Sequence, residues 1–274
     1  MRSMEGHSML LLRAALVLYS LGLLDALVSV VRQRRKLFKP ALYAFIGAAI
    51  LHLLSLTLLS LDHGRVPVQT LQQMCSLASF FMTAVFLAVY GRFKYESLAV
   101  FVFPLVFLLT LAGSLGASTP VPSRPMLEWW ISIHVALFLL GYAALFLTCV
   151  AGVMYLIQER ELKSKRPRAF YYRLPPLGKL DEMGYQALAA AFVLVTLGLI
   201  AASVWGFAKW GPNWVVDPTI ALAFLTWGIS FAMVLSRLAI GWRGRKGAYF
   251  SIAGFGCAAL TWIVNSGAHT FTGQ

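Results

Sequence analysis

The side chains best suited to chemistry are the indoles, carboxylate and imidazole that flank the last two long apolar stretches of the sequence. The segment WGFAKWGPNWVVDP carries Trp210, Trp214 and Asp217, and NSGAHTF after the final stretch carries His269. A short basic turn, GWRGRKG, joins the two stretches. Because each stretch is long enough to cross a bilayer, the tryptophan-rich loop and His269 are predicted to lie on one side of a membrane, here called the outer side.

Two further histidines lie inside apolar stretches. His52 is about 12 Å from the outer end of its predicted helix, and His134 is about 9 Å from the outer start of its own. Both are therefore predicted in the outer half of the bilayer. An ionisable side chain at membrane depth is costly, which makes each a functional candidate. His7 and His63 lie in outer segments, and the sequence gives them no role.

These residue types together suit a planar, iron-bearing ligand such as haem. Imidazole is a usual axial ligand of haem iron, and two imidazoles from different helices can fill both axial positions. Indole faces offer flat apolar surface to a porphyrin, and Asp217 could accept a hydrogen bond from an imidazole N–H and fix its tautomer. A structural alternative stays open, because membrane histidines also bond to neighbouring helices and tryptophans also line membrane surfaces.

Composition sets the class of protein that positions these residues. Hydrophobic residues make up 59% of the 274 residues and charged residues 12%, far from the one-quarter charged share of a soluble domain. The sequence therefore predicts an all-α, polytopic membrane protein. The cysteines lie in apolar stretches without CxxC spacing, so we expect neither a disulfide nor thiol chemistry.

Eight apolar stretches are long enough to cross a bilayer, and the loops between them are short. Since no loop shows the apolar periodicity of a second domain, residues 1–274 are predicted to form a single integral membrane domain, a transmembrane helical bundle. The predicted spans are 9–31, 40–60, 71–90, 97–113, 128–157, 183–207, 218–240 and 248–266.

The basic residues are distributed unevenly between the two sides of this bundle. Loops after the first, third, fifth and seventh spans carry 18 Lys and Arg residues, whereas the opposite side carries 4. By the positive-inside rule the basic loops are cytoplasmic, and both termini are on the outer side. The net charge of +13 therefore indicates topology, and no nucleic-acid partner is expected.

The second half of the chain carries a series of motifs in a recognisable order. After the histidine of the fifth span come GVMYLIQERELK, RLPPL, WGPNWVVDP, LSRLAIGWRGRKGAY and NSGAHTF. This order resembles the cytochrome c assembly family, which comprises the haem-handling membrane proteins CcsA and CcmC and their shorter HemX-type relatives. The eight-span length is most similar to the HemX-type branch. The resemblance implies that His134 and His269 are haem ligands, with Trp210, Trp214 and Asp217 as a platform for the porphyrin.

The sequence departs from the family pattern at two places. The family loop reads close to WGxxWxWDPKE, but Val216 replaces the tryptophan before the aspartate, and the Lys–Glu pair is absent. CcsA-like members also tend to carry a histidine two residues before the arginine of the seventh span, where this chain has Leu235. If His52 corresponds to an intramembrane ligand of the family, its partner is missing. His134 and His269, the outer pair, then remain as the candidate haem ligands.

The predicted function is that of a haem-handling, cytochrome c assembly-like protein of the bacterial inner membrane, which holds haem transiently at its outer face. It is expected to be an accessory of a haem-attachment machinery and not itself an enzyme. Its expected partners are the lipid bilayer and either assembly components or a haem-synthesis enzyme. The alternative is a HemX-type regulator or scaffold for haem biosynthesis without stable haem binding, in which the basic segment 158–182 matters more than the histidines.

Overall fold

The computed structural model describes residues 2–31, 38–64, 66–68, 70–115, 128–164, 174–212 and 218–264. Within these ranges all regular structure is helical, which confirms the all-α prediction. A 3-10 turn, Glu96–Leu98, leads into the fourth helix, and a π-helical turn, Ser236–Ile240, follows the seventh. The α-helices are α1 (Arg2–Val31), α2 (Phe38–His63), α3 (Leu71–Phe93), α4 (Ala99–Ser114), α5 (Glu128–Lys163), α6 (Leu177–Trp210), α7 (Pro218–Leu235) and α8 (Arg245–Val264).

Each predicted span overlaps one α-helix, although the span 97–113 begins in the 3-10 turn, the span 218–240 includes the π-helical turn, and residues 265–266 of the last span lie outside the described residues. Within the described residues, seven helical stretches are long and apolar enough to cross a membrane. The eighth predicted span corresponds to α8, whose 20 residues reach the length that a bilayer requires, and it stays a prediction. Some helices extend beyond their apolar part: α5 continues to Lys163, where an ion pair of 2.6 Å joins Lys163 Nζ to Glu159 Oε1 and supports the last turn.

The helices group into two compact units, and the division falls within α5, between Leu139 and Leu140. The first unit holds α1 to α4 with the start of α5, and the second holds the rest of α5 with α6 to α8. That residues 1–274 form a single integral membrane domain stays a prediction.

An aromatic cluster forms the centre of the first unit. Phe45 of α2 stacks on Phe103 of α4 with ring centroids 3.7 Å apart, and Tyr19 of α1 meets Phe45 edge-on at 4.8 Å. Phe86 of α3 contacts Phe103 edge-on at 5.1 Å. All four rings are buried, so one cluster joins four helices. Because lipid is as apolar as these side chains, close packing rather than exclusion of water holds them together.

The first two helices approach each other closely. A Cβ added at Gly22 of α1 would lie 3.1 Å from the Ala41 carbonyl oxygen of α2. Nearer the start of α1, the Ser8 hydroxyl donates to the Ser55 carbonyl at 2.9 Å, and the Ser55 hydroxyl donates to the Ser8 carbonyl at 2.7 Å. These reciprocal bonds fix the register of α1 against α2.

The second unit is organised by the α7–α8 pair, which a short turn at 241–244 connects. The Trp227 indole of α7 donates to the Thr196 hydroxyl of α6 at 3.0 Å, and α5 packs on α8 at Gly152. Gly211, with φ 63°, ends α6, and Pro218 begins α7, as expected for residues that stop and start helices. The start of α7 and the end of α8 therefore lie at the same end of this unit.

Candidate functional site

His52 is completely buried within the first unit. Its Nε2 lies 2.9 Å from the Ser76 hydroxyl of α3, and its Nδ1 lies 3.5 Å from the Tyr19 hydroxyl of α1. The Phe80 ring covers it edge-on at 5.8 Å. Both ring nitrogens thus face protein hydroxyls, neither of which belongs to a predicted site residue. Iron ligation by His52 stays a prediction, and it would require one of these contacts to open.

His134 has a different environment. It lies in the second turn of α5 and is half-buried. The Phe138 ring, one turn later, contacts it edge-on with centroids 4.9 Å apart. This contact restricts the orientation of the imidazole, as a haem ligand requires. The role of His134 as a haem ligand stays a prediction.

The remaining predicted site residues lie at or beyond the described helix ends. Trp210 is the last residue of α6, and its side chain lies outside the part that the structure describes. Trp214, Asp217 and His269 also lie outside the described residues. The structure gives only the ends that bracket them, namely the end of α6, the start of α7 and the end of α8, all in the second unit.

A second polar centre, at the opposite end of α7, was not predicted as a site. Arg237 donates through Nη1 and Nη2 to both carboxylate oxygens of Asp181, at 2.9 and 2.7 Å. The Gly244 N–H donates to Asp181 Oδ1 at 3.0 Å. The guanidinium also lies 4.5 Å from the centre of the Tyr185 ring. One carboxylate of α6 therefore holds both the π-helical turn after α7 and the turn before α8.

The backbone of residues 241–244, the GWRG motif, explains how this polar centre forms. The Ser236 carbonyl accepts the N–H of Gly241 and that of Trp242, the latter at 3.2 Å, which closes the π-helical turn. Gly241 and Gly244 have φ values of 71° and 69°, in the left-handed region that favours glycine. A Cβ at Gly244 would also lie 2.7 Å from the Tyr155 hydroxyl. Both glycines of the motif are therefore required by the turn.

A small cavity adjoins the paired charges. Its volume is about 40 Å³, and its lining includes Thr148, Tyr155, Ser236, Trp242 and Ser251. Ligand pockets usually measure roughly 300–1,000 Å³, so this cavity suits water and not a porphyrin. Because Arg237 is paired with Asp181, the centre connects α6 to the segment between α7 and α8.

Fold and sequence together define a helical, membrane-spanning protein, and comparison with known proteins gives its family. The profile of the family described as "Cytochrome C assembly protein" matches residues 14–269, and the chain belongs to that family. The match confirms the resemblance found in the second half and extends it to the first. Membership of the HemX-type branch stays a prediction.

Several relatives share the name "Cytochrome c biogenesis protein CcsA". The protein from Guillardia theta is 25% identical over 260 residues, which cover 85% of this chain and 85% of that protein. The protein from Microcystis aeruginosa is 26% identical over 275 residues, with 81% and 83% covered. The protein from Chlorella vulgaris is 27% identical over 252 residues, with 79% and 78% covered. The likeness therefore runs through most of each chain.

Proposed function

We propose that this protein takes part in cytochrome c biogenesis by holding haem at the outer face of a bacterial inner membrane. The observation that carries the proposal is the family match over residues 14–269, which includes both proposed iron ligands, His134 and His269. The names of its relatives support the same process. The protein acts as a carrier of haem for assembly partners and not as an enzyme.

The arrangement of the second unit supports an outer platform next to His269. The loop with Trp210, Trp214 and Asp217 connects α6 to α7, and His269 follows α8 by five residues, a reach of roughly 18 Å at most. Because α7 and α8 are joined by a short turn at the other end, both segments leave the unit from the same end. A porphyrin held there would have indole faces beside it and an imidazole within reach.

The first test is absorption spectroscopy of the protein purified gently after expression with ample haem. The parent is expected to show a Soret band. The variants His134→Ala and His269→Ala should each weaken or remove it, because loss of one axial imidazole leaves iron with a water or an open position. His7→Ala removes an exposed histidine of α1 and should leave the band unchanged.

Other outcomes would contradict the proposal in distinct ways. A folded parent that stays colourless in every preparation supports the alternative, a HemX-type regulator acting through the basic segment 158–182. Loss of the band in His52→Leu with retention in His134→Ala would instead place the iron at the intramembrane histidine. Loss in His7→Ala as well would indicate unfolding and not ligand removal.

The proposal also requires the predicted orientation. Because basic loops remain in the cytoplasm, single cysteines replacing Arg34 or Lys165 should resist a membrane-impermeant maleimide applied to intact cells, whereas cysteines replacing Thr119 or Asn213 should react. The native cysteines are first removed so that each label reports one position. Labelling at position 165 with silence at position 213 would invert the topology and place the proposed haem platform in the cytoplasm.

A further inference from the structure

Three side chains that commonly ligate metals meet where α1 begins and α2 ends, in the first unit. Glu5 lies in the first turn of α1, and Asp62 and His63 lie in the last turn of α2. One potential ligand atom from each lies within 4.8 Å of the other two. We propose that Glu5, Asp62 and His63 bind a divalent transition-metal ion of the Zn²⁺ type, separate from the proposed haem site.

The spacing of the atoms suits such an ion. His63 Nε2 lies 3.1 Å from Glu5 Oε1. Zn²⁺ holds imidazole nitrogen and carboxylate oxygen at about 2.0–2.2 Å, so two of its ligands are roughly 3–3.5 Å apart. A rotation of the Asp62 side chain completes a set of one imidazole and two carboxylates. Water fills the remaining position, as in open zinc sites.

The charges of the three residues also favour a cation. Glu5 at the start of α1 is compatible with the helix dipole, and its carboxylate lies within hydrogen-bond distance of the His63 imidazole at the end of α2. The helix dipole does not favour Asp62. Its carboxylate lies in the last turn, at the negative end of the α2 dipole, and it adds a second negative charge to that of Glu5. A divalent ion would compensate both carboxylates and relieve this unfavourable position.

The site is held in register by the helices that carry it. Ser8, one turn after Glu5, and Ser55, two turns before His63, exchange the reciprocal bonds of 2.9 and 2.7 Å. Glu5 and His63 therefore face each other before any ion binds. Such preorganisation reduces the entropy that ligand residues lose on binding.

The test uses Co²⁺ as a spectroscopic probe. The background is the full-length protein without native cysteines and with His134→Ala and His269→Ala, so that the result does not depend on the proposed haem ligands. After stripping with a chelator, His63→Cys is expected to show a thiolate-to-cobalt charge-transfer band, because thiolate is a strong ligand for such ions. His7→Cys is the matched control, since position 7 is about 200° around α1 from Glu5.

Titration of the background protein should show one Co²⁺ bound per chain. The isosteric variants Glu5→Gln and Asp62→Asn should each raise its Kd at least about tenfold, as losses around metal sites usually do. Absence of the band in monodisperse His63→Cys, or an equal band in His7→Cys, would overturn the proposal. An unchanged Kd in both isosteric variants would also overturn the proposal and would leave only a hydrogen-bonded contact between Glu5 and His63.

Discussion

Asp181→Ala is expected to lower the free energy of unfolding by about 2–4 kcal/mol, because it leaves a partly buried guanidinium without its counter-charge. Asp181 and Arg237 side chains are each 16% exposed, so solvent screens the loss only slightly. The substitution also removes the acceptor of the Gly244 N–H and so frees the turn before α8. Equilibrium unfolding in mixed detergent micelles would measure the effect.

An exposed ion pair on the same helix provides the control. Lys179 Nζ and Glu182 Oε2 are 2.8 Å apart, with side chains 54% and 44% exposed, so Glu182→Ala should change stability by less than about 1 kcal/mol. Adding Arg237→Leu to Asp181→Ala should restore part of the loss, because the unpaired charge is then absent. The prediction is wrong if Asp181→Ala costs no more than Glu182→Ala.

Gly152→Val is expected to destabilise the second unit by about 1–3 kcal/mol, toward the upper end of the cost of overpacking. A Cβ at Gly152 would lie 3.0 Å from the Ala248 carbonyl oxygen, 3.2 Å from Ala248 Cα and 3.3 Å from Ser251 Cβ. Two of these are backbone atoms, so the clash can be relieved only by moving α5 away from α8. The same unfolding measurement and the yield of monodisperse protein would report it.

Gly256→Val in α8 is the matched control for this clash. A Cβ at Gly256 meets nothing within 4 Å, and valine is no worse than glycine in a helix. It should therefore be nearly neutral. Equal losses of unfolding free energy in Gly152→Val and Gly256→Val would show that replacing a helical glycine, and not the contact between α5 and α8, causes the destabilisation.

The sequence predicted the helices well because hydropathy and helix length depend on local composition. Pro218 marked a helix start by a rule of the same local kind. Residue type also identified the histidines as candidates. It did not distinguish His52, enclosed by Tyr19 and Ser76, from the half-buried His134, because that difference depends on which helix faces meet.

The unpredicted centres join residues that are far apart in the chain. Asp181 and Arg237 are separated by 56 positions, and Glu5 and His63 by 58. No fixed separation in the sequence predicts such pairs, because the lengths of the intervening helices and turns decide whether the two residues meet. The GWRG motif was visible in the sequence. Its structural role depends on the hydrogen bond from the Gly244 amide to the Asp181 carboxylate, which the sequence does not show.

The π-helical turn Ser236–Ile240 makes the number of residues in this segment as important as their identity. A π turn has i→i+5 bonds and holds an extra residue compared with an α turn, and each residue of an α-helix advances about 100° around the axis. In a continuous α-helix one residue more would turn all that follows by that angle, whereas the wider π turn takes up the extra residue without such a rotation. In α geometry the extra residue would point the Gly244 amide away from Asp181 without any change in either residue. The π turn therefore keeps the rotational phase in which the turn before α8 reaches the carboxylate of α6.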